Sequence, residues 1–329
     1  MLLLYYFSIF FFSSEAWTLM RQRVKKVKKN AAPITLRRIA AALLIPVSIL
    51  SAGVWLACDW RYITSDVVFL DVGQGDCIHI RGKGSFDMMI DSGGSTKKDV
   101  GTETLIPYFL GHGIRELDAV LITHLHTDHY EGLKTMTAGV RVKRLFLSEA
   151  YRGMASRVSS ETGIPEEHIT FLKRGDVISP GGGIRLTVLS PEHRSGEDFQ
   201  RLLDADDENA VSLVVRADFK GKSLIFTGDM GEEIERELVR DIPPVVMDVD
   251  VLKVSHHGSK PSSASEFLEA LSPEVSVVQA GVRNIYGHPT KEALDRIAAA
   301  GSSIYRTDQH GTVMLSLSPS IRACTMLDP

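Results

Sequence analysis

The pattern of apolar and polar positions changes character near residue 66. Upstream, residues 39–57 read IAAALLIPVSILSAGVWLA, nineteen positions without a charge. A helix crossing a ~30 Å hydrocarbon core needs about 20 such residues, and Pro46 is tolerated within one. A shorter apolar run at 2–12 predicts a further span within 2–20. The stretch between them, 21–38, carries Arg21, Arg23, Lys25, Lys26, Lys28, Lys29, Arg37 and Arg38. Lys and Arg flanking spans favour the cytoplasmic side. The expectation is a membrane leader over 1–58 with a cytoplasmic loop at 21–38, a linker at 59–65, and a body over 66–329 outside the cytoplasm. A cleaved signal peptide, or lipid attachment at Cys58, is the competing reading of the same leader.

Within the body, short Val/Ile/Leu runs are bounded by Gly, Asp and Ser, as strands are. They fall at 67–72, 77–80, 88–90, 119–123, 185–189, 211–217, 223–226, 249–254, 275–279 and 312–317. Helical spacing occurs at 104–110, 232–239, 265–270 and 291–299. Strands interleaved with helices predict an α/β layered fold. The polar stretch 192–208 shows no clear period and reads as a surface loop between two halves.

Composition adds exclusions. With 44% hydrophobic and 24% charged residues, the 329-residue chain is of globular type, not disordered or fibrous. The net charge of -4 hides an asymmetry: residues 59–329 hold 29 Lys/Arg against 40 Asp/Glu. Such a body gains little from nonspecific attraction to phosphates. The three cysteines, Cys58, Cys77 and Cys324, form no C-x-x-C pair, which argues against a disulfide framework or a cysteine zinc cage.

The candidate chemistry sits where strands end. Thr123-His124-Leu125-His126-Thr127-Asp128-His129 directly follows an apolar strand. Imidazole and carboxylate are common ligands for zinc and its divalent neighbours. Alternation past the strand sets His124 and His126 on one side for one ion, while Asp128 and His129 on the next turn face a second. Phe226-Thr227-Gly228-Asp229 closes another apolar strand, and Val254-Ser255-His256-His257-Gly258-Ser259 a third. His288, between Gly287 and Pro289, is a candidate donor or acid, and Ser259 with the backbone after Gly258, Gln74 and His310 are candidate substrate-binding groups. His79, His112 and His168 read as ordinary strand or surface residues.

The H-x-H-x-D-H segment, followed in order by G-D and S-H-H, resembles the metallo-β-lactamase superfamily. The resemblance implies an αβ/βα four-layer sandwich and two divalent metal ions, zinc or manganese. It further implies that Asp229 bridges the two ions, that one histidine of the His256-His257 pair completes the second site, and that Asp91 supports the metal histidines from behind. Neighbouring side chains at a strand end point opposite ways, and His256 is favoured over His257. The sequence departs from the superfamily at one point, where a further histidine is expected and Asn209 stands in its place. His193 is the competing candidate. A carboxamide ligand at Asn209 makes manganese as plausible as zinc. Asp128 ligates or orients the attacking water.

The match narrows with Phe69-Leu70-Asp71-Val72-Gly73-Gln74-Gly75-Asp76, Ser255-His256-His257-Gly258-Ser259, Tyr286-Gly287-His288-Pro289 and Arg306-Thr307-Asp308-Gln309-His310-Gly311-Thr312. This set resembles the C-terminal domain of the ComEC competence family of DNA-uptake proteins. The resemblance implies a phosphodiesterase, a nuclease acting on incoming DNA, with Lys253, Lys260 and Arg283 near the motifs. With at most two spans, the chain is expected to be a fragment, split product or stand-alone relative that works beside a channel subunit. Two alternatives stay open: a metallohydrolase of small or cell-surface phosphoesters, and a noncatalytic module that binds DNA or the channel.

Overall fold

The alternation that predicts strands sorts the apolar residues of the body into inward and outward sets. Val67 and Phe69 join one buried cluster while Val68 between them joins another, because successive strand residues face opposite sides. The computed structural model describes residues 46–48, 65–192, 194–205 and 207–327. The chain divides into two units, Met1–Trp60 and Arg61–Pro329. In the first, the described residues 46–48 are helical. The rest of the predicted spans, 2–20 and 39–57, and the loop 21–38 lie outside the described residues. Among those described, no helix is long and apolar enough to cross a membrane.

In the second unit the strands begin with β1 (Val67–Phe69), β2 (Ile78–Arg81), β3 (Asp87–Ile90), β4 (Glu116–Leu117), β5 (Ala119–Leu121) and β6 (Arg141–Val142). They continue with β7 (Leu145–Ser148), β8 (Ile169–Leu172), β9 (Val177–Gly181), β10 (Ile184–Ser190), β11 (Val214–Phe219) and β12 (Lys222–Phe226). The last are β13 (Val251–Lys253), β14 (Val275–Val278), β15 (Ser303–Arg306), β16 (Val313–Ser316) and β17 (Arg322–Thr325). One sheet has the order β17-β16-β1-β2-β3-β5-β7-β8 and the other β15-β14-β13-β12-β11-β10-β9. Each sheet is antiparallel in one half and parallel in the other. The short pair β4-β6 stands apart.

The inner faces meet in a core that includes Phe69, Ile78, Leu186, Val215 and Phe226. Outside the first sheet, Leu105, Phe109, Tyr130, Leu133 and Val158 seat helices Ile106–Gly111, Thr127–Met136 and Ala155–Thr162. Outside the second, Leu238, Phe267, Leu268 and Ile297 seat helices Glu232–Asp241, Ser265–Leu271 and Lys291–Ala299. Strands covered on both faces read as continuous apolar runs, which is why so many were visible in the sequence. The result is the expected αβ/βα four-layer sandwich.

One expectation fails. The supposed polar loop 192–208 contains a helix, Gly196–Asp204. Ser195 caps it by accepting a hydrogen bond from the Asp198 amide at 3.2 Å, as N-cap serines do. Only Phe199 of this helix is buried, against Tyr151 and Val211. A single apolar anchor leaves too little periodicity to be legible. The strand predicted at 211–217 starts later, at Val214, because Glu208–Val211 is a 3-10 turn.

Candidate metal centre

The site lies past the ends of β5, β12 and β13. After β5 the chain runs through His124 into helix Thr127–Met136, with His126 at its N-cap. His124 is fully buried, its Nε2 3.1 Å from His126 Nδ1. Two imidazole nitrogens so close to each other can serve one cation. The next turn carries Asp128 and His129. Beyond β12 the chain turns at Gly228 (φ 50°), where a Cβ would stand 2.2 Å from Ser212 Oγ. That close approach needs glycine and delivers Asp229 into the cluster. Gly75 does the same service opposite, its missing Cβ leaving room for the Asp128 carbonyl at 2.2 Å.

Ligand atoms of Asp128, His129, Asp229 and His257 all lie within 4.8 Å of one another. His257 Nε2 is 3.2 Å from Asp128 Oδ2 and 3.6 Å from Asp229 Oδ2. His257, rather than the favoured His256, thus joins this cluster. His256 keeps 32% of its side chain exposed, with Nε2 3.8 Å from Asp229. Simple strand alternation does not apply here, because His256 and His257 both take left-handed backbone angles, φ 46° and 52°. The chain has left β13 before either residue, and the bend turns the second imidazole inward.

The residues fit a divalent cation on a specific observation. His129 Nδ1 lies 2.8 Å from Asp91 Oδ2. With the proton on Nδ1, a neutral ring presents a bare lone pair at Nε2. That nitrogen is 3.2 Å from Asp229 Oδ1, yet neither buried atom has a hydrogen-bond partner. In that neutral form the lone pair faces the Asp229 carboxylate, and the pair needs a positive charge between them, a metal cation or a proton on Nε2. Asp91 also accepts from the Thr123 amide at 2.7 Å and the Thr123 hydroxyl at 2.8 Å. Such outer carboxylates fix the ring and tautomer of a metal histidine.

Burial alone pushes the His129 imidazole down, but the carboxylates of Asp229 and Asp91 outweigh it and hold it well above the ordinary value. His257 is likewise depressed by burial and then driven up to about 10 by Asp229 and Asp76. Burial raises Asp128, and the bond from His257 overrides it to leave the carboxyl low. His124, facing buried surroundings and then His129, is pushed well below the usual imidazole range. Without a cation, protons on His129 and His257 compensate the crowded carboxylates; metal uptake would displace them.

A second acidic group, Asp76 with Asp91 and His129, is already neutralised. Lys253, only 1% exposed, places Nζ 2.5 Å from Asp76 Oδ2. Asp76 in turn lies 3.2 Å from His257 Nδ1, which is also bonded at 2.9 Å to the Gln279 carbonyl. Lys253 is thus a buried support of the centre and is removed from the set of basic residues expected to meet DNA. Neither Asp76 nor Lys253 was singled out as part of the site from sequence. The signal available for Lys253 was a charge at the end of a strongly apolar strand; Asp76, in the loop before β2, gave none.

The remaining candidates divide. Asn209 sits in the turn Glu208–Val211, beside the histidine pair. Glu208 Oε2 accepts from the Leu125 amide at 3.1 Å, and the Leu213 amide donates to Thr123 at 2.9 Å. Asn209 Oδ1 is buried without a partner, consistent with a ligand role beside His124 and His126. His193 lies outside the described residues. Ser259 Oγ, Gln74 Nε2 and His288 Nδ1 are likewise buried and unpartnered. His288 stands near the cluster, its ring 5.6 Å from that of His256. Gln74 is committed on its other side, accepting from the Gly281 amide at 3.1 Å. His310 ends the short helix Thr307–His310, where its Nδ1 accepts from the Arg306 amide at 2.9 Å. His79 is buried with both ring nitrogens engaged, by Tyr108 and Asp87 at 3.0 Å each.

A four-layer sandwich with a histidine–aspartate centre at its strand ends defines a metallo-β-lactamase-fold metallohydrolase. The family model for the beta-lactamase superfamily domain matches residues 89–278, over half of the chain, and the chain belongs to that superfamily. Within it, the expected kinship with the ComEC family holds. The chain is 33% identical over 270 residues to ComE operon protein 3 of Bacillus subtilis (strain 168), covering 75% of this chain and 32% of that protein. It is 27% identical over 251 residues to competence protein ComA of Neisseria gonorrhoeae, covering 76% and 32%. It is 26% identical over 313 residues to recombination protein 2 of Haemophilus influenzae, covering 92% and 35%. The chain spans about a third of the length of these curated relatives.

Proposed function

We propose that this chain is a metal-dependent phosphodiesterase that cleaves DNA entering a competent cell, held at the outer face of the membrane by its leader. The convergence of Asp128, His129, Asp229 and His257, with His129 Nε2 and Asp229 Oδ1 turned toward each other at 3.2 Å, carries the reading. His124, His126 and Asn209 would hold one ion, Asp128, His129 and His257 the other, with Asp229 between. Two divalent ions, zinc or manganese, supply electrophilic charge and acidify water for attack on phosphorus.

The chain's own residues do the rest. Asp91 and Asp76 hold the histidines in position. Asp128, exposed on one side, orients water against the scissile group. Ser259 Oγ and Gln74 Nε2 offer unpaired donors to phosphate oxygens, and His288 Nδ1 handles a proton at the departing oxygen. The names of the relatives, competence and recombination proteins, support DNA as the substrate.

The test uses the full chain, stripped of metal and resupplied with manganese or zinc, on single-stranded DNA, duplex DNA and bis(p-nitrophenyl) phosphate. DNA cleavage that disappears in Asp128→Ala is expected. Turnover of the small ester alone would move the assignment to a small-phosphoester hydrolase, and no turnover with any metal to a binding module. A reporter fused after Pro329 should be active only outside the cytoplasm.

A further inference from the structure

Beyond β14 the chain forms a loop, residues 281–288, of which only the His288 side chain enters the mechanism above. Val282, Ile285 and Tyr286 are 67%, 84% and 62% exposed. Large apolar groups grouped in solvent mark contact surfaces. The loop is nonetheless firmly built. Asn284 Nδ2 donates to the carbonyls of Gly281 at 2.9 Å and His288 at 2.5 Å, and its Oδ1 accepts from the His288 amide at 3.0 Å. Gly281 packs so tightly on the Gln74 backbone that a Cβ would stand 2.6 Å from its nitrogen.

This frame aligns rings. Tyr286 stacks on His288 with centroids 5.8 Å apart and planes at 26°. His288 meets His256 edge-on at 5.6 Å, and His256 reaches within 3.8 Å of Asp229. A row of rings thus leads from the metal centre to an open aromatic face. We infer that Tyr286 is a stacking platform for a nucleobase, seating single-stranded DNA so that its backbone crosses the centre. This rests on the phosphodiesterase reading above and adds strand selectivity to it. Every base offers a π-face, so stacking is tolerant of sequence, whereas duplex bases are already stacked on one another. A tip that dips into lipid would use the same exposed side chains, but it would leave the alignment with His288 and His256 unused.

The experiment measures binding by fluorescence anisotropy with the full chain in manganese. The probes are a fluorescein-labelled, phosphorothioate-linked dT 15-mer and an abasic strand of equal length. The wild type should bind the thymidine strand at least tenfold more tightly than the abasic strand. Tyr286→Ala should reduce that ratio at least fivefold, and Tyr286→Trp should keep it, within the range stacking commonly provides. In Tyr286→Trp, emission in excess of the wild type should be quenched by the thymidine strand. Equal affinity for the two strands in the wild type, a ratio unmoved by Tyr286→Ala, or binding of neither strand overturns the inference. So does a Tyr286→Trp emission that shifts blue in phosphatidylethanolamine–phosphatidylglycerol vesicles and ignores the strand. Failure of the phosphodiesterase reading is recognised separately, by absence of turnover of both DNA and bis(p-nitrophenyl) phosphate in the wild type.

Discussion

Replacing Asp91 by asparagine tests whether the centre is organised from behind. The Asp91 carboxylate accepts three hydrogen bonds: from the Thr123 amide and hydroxyl, at 2.7 and 2.8 Å, and from His129 Nδ1 at 2.8 Å. An asparagine fits the same space but has only one acceptor oxygen. Kept on the Thr123 amide, that oxygen leaves an NH2 group facing both the Thr123 hydroxyl and His129. The hydroxyl can rotate to accept. The imidazole can accept only by moving its proton from Nδ1 to Nε2, which blocks the lone pair aimed at Asp229. Loss of such an outer partner commonly costs 10- to 100-fold in metal affinity, or ~1.4–2.7 kcal/mol. The assay is a competition titration of zinc or manganese against a chelator, on the full chain, with circular dichroism confirming that Asp91→Asn is folded. One of the two metal equivalents should weaken by that factor while the other changes little. A folded Asp91→Asn protein that binds both equivalents within twofold of the wild type refutes the reasoning.

Metal stoichiometry should fall in His257→Ala and persist in His256→Ala; loss of an equivalent only in the second variant would return the ligand role to His256. Gly75→Ala would push a methyl toward the Asp128 carbonyl at 2.2 Å, from a backbone at φ 128°. A loss of more than about 1 kcal/mol is expected in thermal unfolding, and an unchanged melting temperature would contradict so close an approach of the two segments. Asp250 accepts from Lys222 at 2.7 Å and from the Ser223 amide at 2.8 Å. Burial raises its carboxyl, but these bonds hold it below the usual value. Its contribution is therefore complete above the unfolded carboxylate value near 4 and fades as pH falls through the lower folded value. Asp250→Asn should flatten the acid limb of a stability–pH curve, and an identical limb would show that the pair adds nothing.

The sequence made the first half of the centre legible because His124, His126, Asp128 and His129 fall within six residues and follow an apolar strand. The second half depended on backbone conformation that residue type does not reveal. Nothing in Ser255-His256-His257-Gly258 announces two successive left-handed histidines, which is why the sequence favoured His256 while the fold turns His257 into the cluster. Lys253 read as a basic residue free for DNA, since only the folded chain shows it sealed against Asp76. The layers were recoverable because strands buried on both faces are apolar throughout. Helix Thr127–Met136 was obscured by the polar motif at its head, although Tyr130, Leu133 and Met136 carry helical spacing. Helix Gly196–Asp204, with one buried anchor, left almost no trace.

Asp128 and His129 follow the first sheet, whereas Asp229 and His257 follow the second. A cation gripped by all four would rivet the two halves of the sandwich together, and the free energy of its capture would be shared with the seam between the sheets. A chelator should then act on this protein much as heat does, loosening one half from the other before either half melts.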